Sequence, residues 1–521
     1  MEIQDAYALL GVEEDVAEAE LNACFGLKVA EALQGDNQAE VKSLQNAYEL
    51  VKKHINDEAK EFKQVIAHLE TSKKSILIMG KAGSGKSSLL RRIKEDMPDG
   101  YAMCASTGVA ALNIGVPTLH SLFGLPAKVL GQDEDFFKKY SSDKLEALEK
   151  IGTLVIDEIS MVNADLVDTI NRLFQKAKKS EAQFGGVQLV MVGDPFQLGP
   201  IKGKDKKVIE YIDATYDSFW FFDAKAWDVR RDPEDPKFEV FELTKSFRHH
   251  PDTKFISVLD NIRTGIATPS DIDYINENCT NKKSRVNRSI RLVTTNADVD
   301  SINNGEMEKI KEETVKFVAT ESSLIPGERF ADESKSLPAE RELSLKVGAQ
   351  VMFVKNDDLG LQKFGRRRWA NGTTGIVSRF SPDRSKVFVR IGDAVEEVGV
   401  STWTKYIYSL VEEVNPVTKK MTKVLKSLEA VQYSQIPLRA AWAITIHKSQ
   451  GQTYDDVVVD MPKGTFAPGQ SYVALSRVRQ IAGMVLTTPL KLSDVNVDPD
   501  AKNMLNRVLI INKPKSKLPK K

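Results

Sequence analysis

Cysteine is nearly absent: Cys24, Cys104 and Cys279 are far apart in a chain of 521 residues. That spacing excludes a disulfide framework and a zinc knuckle, and points to a reducing, cytoplasmic setting. No apolar run approaches the ~20 residues needed to cross a bilayer. The first residues lack a basic-then-apolar signal pattern and are too acidic for an organelle transit peptide. Net charge is also missing, with 73 Lys and Arg balanced by 73 Asp and Glu. The balance hides an asymmetry, because residues 1–58 carry −9, the remainder carries +9, and five lysines fall in the last ten positions. A mildly basic body suits a polyanion, and an acidic head suits docking to a protein. With 41% hydrophobic and 28% charged residues, the chain reads as soluble, globular and built from three or four compact units.

The strongest feature present is Gly80-Lys-Ala-Gly-Ser-Gly-Lys-Ser87, directly after the apolar run Ser75–Met79 and before Ser88-Leu-Leu-Arg-Arg-Ile. A strand feeding a glycine-rich loop that opens a helix presents backbone N–H groups to phosphate oxygens. Gly80, Gly83 and Gly85 shape that loop and Ser88 continues it. Lys86 is placed to reach the β- and γ-phosphates, and Ser87 to ligate Mg²⁺. The chain is therefore expected to bind a nucleoside triphosphate.

The pattern along the chain predicts an α/β protein in which two successive series of strands alternate with helices. Three short helices are expected in an acidic module at 1–58, then a first motor domain at 59–245 with a small wedge insertion near 117–150. Its strands are predicted at Ser75–Met79, Tyr101–Ser106, Thr153–Glu158, Val187–Asp194 and Phe238–Leu243. A second domain is predicted at 246–370 and 436–511. Its strands are Ile290–Thr295, Ala349–Val354, Ala440–Ile446, Asp456–Met461 and Met484–Thr488. Short alternating strands from Asn371 to Gln435 predict a small β-barrel insertion, and 512–521 a flexible basic tail.

Several constellations complete the chemistry. Leu154-Val-Ile-Asp157-Glu158 ends a buried strand in two acids, so Asp157 can hold Mg²⁺ and Glu158 can polarise an attacking water. Gln188–Leu198 ends in a polar loop that carries Asp194 and Gln197 toward the γ-phosphate. Leu243–Arg248 and Tyr472–Arg477 each deliver an arginine, the positive charge that phosphoryl transfer needs. The basic run Lys363–Trp369 could engage a displaced strand or form a solvated face. Phe136 and Phe137 lie within the expected insertion, where packing is the commoner use of such rings. His249 and His250 have no partner ligands for a metal.

The ordered set resembles superfamily 1 helicases, and within it the petite-integration-frequency (PIF) DNA helicases related to RecD and Dda. The resemblance rests on Ala105–Leu112, Thr118–Phe123, Asp157–Met161, Phe184–Asp194, Leu343–Met352, Asn371-Gly372 and Ala441–Gly451. It implies two RecA-like domains, with the inserted barrel of SH3-like type. It also implies that Lys86, Asp157, Glu158 and Gln197 act on ATP–Mg²⁺ while Arg248 and Arg477 close over it from the second domain. Phe247 and Gly451 join the nucleotide set. Thr107, Thr118, His120, Thr445, His447 and Ser449 match strand-contacting positions, whose short polar side chains suit sugar and phosphate. The function implied is an ATP-dependent DNA helicase moving 5′-to-3′ on single-stranded DNA and opening tailed duplexes. A translocase that only strips proteins, an ATP-gated docking protein and an RNA track stay open as alternatives. Separately, Asp5–Val12 and Asn46–Leu50 resemble a DnaJ-type J domain, which implies a small helical fold; the His-Pro-Asp turn of that family is missing from Leu33–Gln38.

Overall fold

A computed structural model describes residues 3–12, 18–34, 37–126, 128–131, 134–138, 140–203, 205–228, 238–244, 253–280, 289–330, 337–357, 368–414, 421–505 and 508–512. The acidic module forms helices α1 (Ile3–Leu10), α2 (Glu18–Gln34) and α3 (Gln38–Thr71). Tyr7, Leu10, Leu21, Leu44, Ala47 and Val51 meet in its small core, and Phe25 stacks on Tyr48 with centroids 4.3 Å apart. The predicted boundary at 58 falls inside α3, which runs unbroken for 34 residues. Asn37 caps its start, and no glycine or proline interrupts it before Thr71. Its final turns lay Phe62, Val65 and Leu69 on the first motor sheet. There His68 Nε2 sits 2.7 Å from a Glu239 carboxylate oxygen.

The first motor domain follows the predicted alternation. Strands β1 (Ile76–Gly80), β2 (Tyr101–Ala105), β3 (Thr153–Asp157), β4 (Gln188–Gly193) and β5 (Glu239–Leu243) are parallel, in the order β2-β3-β4-β1-β5. Their alternate residues feed two cores: Leu77, Ile156 and Met191 on one face, Ile78, Val155 and Val192 on the other. That is why the strands read as continuous apolar runs. Helices α4 (Lys86–Glu95), α5 (Gly108–Ile114), α6 (Leu119–Phe123), α7 (Glu134–Lys138), α8 (Ser142–Glu149), α9 (Ala164–Lys178) and α10 (Lys206–Thr215) cover or border the sheet. In the expected wedge region Phe137 is buried in the core, with the Arg172 guanidinium 3.8 Å from its ring centroid. Phe136 packs edge-on against it. Packing is what both rings do here.

The second motor domain contains α11 (Thr253–Thr264), α12 (Pro269–Cys279), β6 (Ile290–Val293) and α13 (Asn296–Lys309). Pro269 at the first position and a Thr268–Asp271 capping box start α12. The β-rich insertion is larger than Asn371–Gln435. It comprises β7 (Val315–Val318), β8 (Thr320–Ser323), β9 (Glu342–Leu345), β10 (Gln350–Phe353), β11 (Thr374–Phe380), β12 (Val387–Ile391), β13 (Ala394–Val398), β14 (Ser401–Val414), β15 (Met421–Gln435) and β16 (Leu438–Ala440). The predicted strand Ala349–Val354 is β10, and it pairs antiparallel with β11 and β16 instead of joining the second parallel sheet. Val351 and Phe353 face the insertion's core while Met352 faces the motor core. A strand buried on both sides does not announce which sheet it serves. The parallel sheet itself has the order β17-β6-β18-β19, with β17 (Ala443–Thr445), β18 (Val457–Asp460) and β19 (Met484–Leu486). Helix α14 (Gln470–Leu475) follows β18.

The long β14–β15 hairpin crosses back to the first domain. The Tyr408 hydroxyl accepts the Met103 N–H at 3.1 Å on the outer edge of β2. The Lys94 ammonium lies 5.8 Å from the Tyr406 ring centroid, and Lys423 pairs with Glu146 at 2.9 Å. In the basic run, Lys363–Arg367 lie outside the described residues. Arg368 holds Asp357, with its Nε 2.7 Å from the carboxylate, and Trp369 stacks on Phe353, so both are structural.

The end of the chain departs from the predicted 436–511 segment. After α15 (Pro499–Leu505), β20 (Leu509–Ile510) pairs parallel with β5 in the first sheet. Asn512 fixes it by donating to Glu242 O at 2.7 Å and accepting the Glu242 N–H at 3.0 Å. β5 otherwise presents an unpaired edge, which this strand covers.

Tyr408→Phe strands the buried Met103 N–H without its acceptor, a cost of about 1–3 kcal/mol. Amide exchange at Met103 is expected to accelerate and the thermal midpoint to fall; unchanged exchange would show that the hairpin does not seal this edge.

Candidate nucleotide site between the motor domains

β1 delivers the chain at Gly80, and two turns in the left-handed region, Gly83 (φ 77°) and Gly85 (φ 82°), wrap it into the start of α4. Gly80 leaves no room for a side chain, since a Cβ there would lie 2.3 Å from Ser84 Oγ. The Lys86 ammonium donates to the carbonyls of Gly80 (2.6 Å) and Lys81 (3.0 Å), poised within the loop it would serve. The Ser87 side chain is exposed and Ser88 is half-buried at the opening of α4. This arrangement fits an anionic triphosphate: backbone donors, a lysine and a helix N-terminus converge.

Asp157 ends β3 buried in the protein, accepting the Glu158 N–H at 2.8 Å. Burial and the neighbouring Glu158 push its carboxyl well above the ordinary carboxylate range, with Lys86 acting in the opposite sense. A buried carboxylate beside a second acid, with no ion-pair partner among the described residues, fits a divalent cation held with Ser87. Glu158 itself adopts φ 50°, an unusual value for this residue, which turns its carboxylate toward the other domain. There it accepts from Gln450 Nε2 at 3.1 Å, and Gly451 lies alongside.

The loop after β4 is gripped from the second domain. Arg263 of α11 binds Asp194 through two nitrogens, Nε at 3.0 Å and Nη2 at 2.8 Å, with almost no exposure of either side chain. Burial alone would raise the Asp194 pKa, but the guanidinium beside it holds the carboxyl below its usual range. Gln197 lies buried in the same loop, its Nε2 3.4 Å from Asp194 Oδ2. One turn away on α11, Asp260 holds Lys81 at 2.7 Å, and from α14 the Tyr472 hydroxyl accepts the Ala82 N–H at 2.9 Å. Sequence reasoning missed Arg263, Asp260, Tyr472 and Gln450 as parts of the site. Arg263 left a readable signal: it prolongs the buried stripe Phe255, Val258, Leu259 and Ile262, and a charge on that face needs a buried partner.

Arg477 is fully buried at the floor of the cleft, donating to the carbonyls of Val473 (2.7 Å), Ser449 (3.2 Å) and Gln452 (3.0 Å). It is close enough to Glu158 to feel its charge, although burial lowers its pKa overall. Arg248 and Phe247, like His249 and His250, lie outside the described residues.

The predicted strand contacts divide. Thr107 and Thr118 begin α5 and α6, each hydroxyl accepting a backbone N–H at 3.2 Å, and both stand beyond the carboxyl end of β2. His120 and His447 are half-buried, and burial lowers the pKa of each, leaving neutral rings near pH 7. Thr445 is buried, its hydroxyl capping Lys448 N at 3.2 Å. Ser449 is fully buried, its hydroxyl donating to Ile446 O at 2.7 Å within the turn whose carbonyl accepts from Arg477.

Residues 54–270 match the PIF1-like helicase family, and 440–485 match a UvrD-like helicase C-terminal domain. The ATP-dependent DNA helicase Pif1 of Bdellovibrio bacteriovorus is 32% identical over 422 residues, covering 80% of this chain and 84% of that protein. The chain belongs to the PIF1-like helicase family. A longer zebrafish relative, ATP-dependent DNA helicase PIF1, is 32% identical, and this PIF1-like chain spans 58% of it. The Bacteroides Pif1 structure in complex with ADP-AlF4 is 33% identical and covers 86% of this chain and 96% of its own, with a TM-score of 0.72. A Bacteroides Pif1 bound to single-stranded DNA gives 0.58 at 34% identity.

Arg263→Ala leaves Asp194 buried and unpaired, a loss of about 3–5 kcal/mol. Thermal unfolding should shift down sharply, and the double variant with Asp194→Ala should recover part of the loss. Because the Asp194 pKa is depressed in the folded state, the pair should hold above the ordinary carboxylate value and weaken only as pH falls below about 4. A single variant as stable as the parent would dismiss the clasp.

Proposed function

We infer that this chain is an ATP-dependent DNA helicase that moves along single-stranded DNA and opens duplexes. The observation that carries the reading is that groups from both motor domains meet around one phosphate loop and the acid pair beside it: Tyr472 on Ala82, Asp260 on Lys81 and Gln450 on Glu158. In this assignment Lys86 and the loop amides bind the phosphates. Ser87 and Asp157 would hold Mg²⁺, which when bound neutralises charge on the β- and γ-phosphates. Glu158 accepts a proton from the attacking water, Gln197 senses the γ-phosphate, and Arg477 with Arg248 supplies positive charge from the second domain. Closure on ATP then shifts one DNA-gripping surface against the other. Thr107, Thr118, His120, Thr445 and His447 are assigned to the strand side.

The likeness to PIF helicases supports 5′-to-3′ movement. The acidic module on α3 is assigned to docking a protein partner. No helix among the described residues is long and apolar enough to cross a membrane, and three cysteines outside any disulfide suit a reducing cytoplasm.

The wild-type chain is expected to unwind a 5′-tailed duplex with ATP and to leave a 3′-tailed one intact. Lys86→Ala and Glu158→Gln should each lower DNA-stimulated ATP turnover by roughly 10²-fold or more. Turnover near the wild-type rate in either variant, or unwinding from the 3′ tail alone, would refute these roles or this direction.

A further inference from the structure

Gln450 reaches across the cleft from the second motor domain, and its side chain is buried. Its Nε2 donates to Oε2 of Glu158 at 3.1 Å, but its own Oε1 is buried without a hydrogen-bond partner among the described residues. Turning the amide round is no remedy, because its oxygen would then face a carboxylate. A buried acceptor left in this condition costs free energy, and native structures seldom keep one without a use. Across from it, Oε2 of Glu158 is engaged while Oε1 lies beside Gly451, 3.9 Å from where a Cβ there would stand.

The mount is rigid. The buried Arg477 guanidinium donates to the carbonyls of Ser449 and Gln452, on either side of Gln450, at 3.2 and 3.0 Å. The Gln450 N–H closes the turn by donating to His447 O at 3.2 Å, and Gly451 at φ 79° leads the chain away. Glu158 is held in the left-handed region on its own side. Two oxygen acceptors from different domains are thus fixed next to each other, beside the phosphate loop. A water has two hydrogens to give. Donated to two fixed acceptors, they leave a lone pair pointing elsewhere, so the water is oriented as well as held.

We propose that the Gln450 side-chain oxygen holds the attacking water jointly with Glu158. The water gives one hydrogen to Glu158 Oε1 and the other to Gln450 Oε1, and its lone pair faces the γ-phosphorus. As the new P–O bond forms, the bond to the β–γ bridging oxygen breaks and its electron pair leaves with ADP. Glu158 takes one proton. The second hydrogen stays on the new phosphate oxygen, still bonded to Gln450, whose amide gains no proton. The proposal rests on the helicase reading above, with Glu158 as its base. It adds that the base works alone only poorly: the second acceptor arrives with the second domain, so hydrolysis waits for the cleft to close.

Binding of two ADP complexes to the full chain separates this role from that of a mere strut between domains. ADP–aluminium fluoride mimics the transition state and includes the attacking oxygen, whereas ADP–beryllium fluoride mimics bound ATP without it. Gln450→Met removes both polar ends at nearly constant size. It should lower kcat for DNA-stimulated ATP hydrolysis by roughly 10- to 10³-fold while moving the KM for ATP less than about threefold. It should weaken ADP–aluminium fluoride binding by roughly tenfold or more and leave ADP–beryllium fluoride affinity within about threefold. Equal losses for the two complexes, or an unchanged kcat, overturn the water site while leaving the helicase assignment intact. If the wild-type chain bound neither complex and DNA failed to stimulate its ATP turnover, the helicase reading would fall, and the water site with it.

Discussion

A guanidinium from one motor domain buried against a carboxylate of the other determines how the nucleotide cleft is built. Taking both charges out of water costs several kcal/mol each, so the Arg263–Asp194 pair persists only because its geometry is bidentate and closed to solvent. Phe196 adds a ring face 4.7 Å from the guanidinium carbon. The same helix sends Asp260 to Lys81. One turn of α11 consequently holds both the phosphate loop and the sensing loop, and neither can shift without pulling on the second domain. Conversion of a local event at a phosphate into relative motion of two domains requires a linkage of this kind.

Much of this was legible in the sequence, because the phosphate loop, the Asp157-Glu158 pair and the parallel strands are written in contiguous residues. Local spacing specifies them, and the structure places them together. The mistaken bounds have a common cause. The strand at β10 is apolar on both faces, and its antiparallel neighbours lie far away in sequence. α3 lacks any breaker, so the composition change near residue 58 has no counterpart in the backbone. Ser449 sits in a strand-contacting motif, yet the turn that carries it points its hydroxyl inward. The cross-cleft partners were invisible for a different reason: Tyr472, Gln450 and Asp260 acquire meaning only through what faces them.

The β-rich insertion is more than an ornament on the second domain. Its hairpin caps the outer edge of β2 through Tyr408 and reaches Glu146 through Lys423, so it walls the side of the first domain on which α5 and α6 begin.

β20 has a consequence for biosynthesis. Residues 509 and 510 pair with Glu239 and Val240 of β5, although the entire second motor domain intervenes. Translation emits the chain from its amino terminus, so the domain begun first is the one completed last. Until residues 509 and 510 clear the ribosome, β5 is left as an open template, and a chain released before them lacks the strand that closes it. Completion of the first motor therefore doubles as a check that the second has been made.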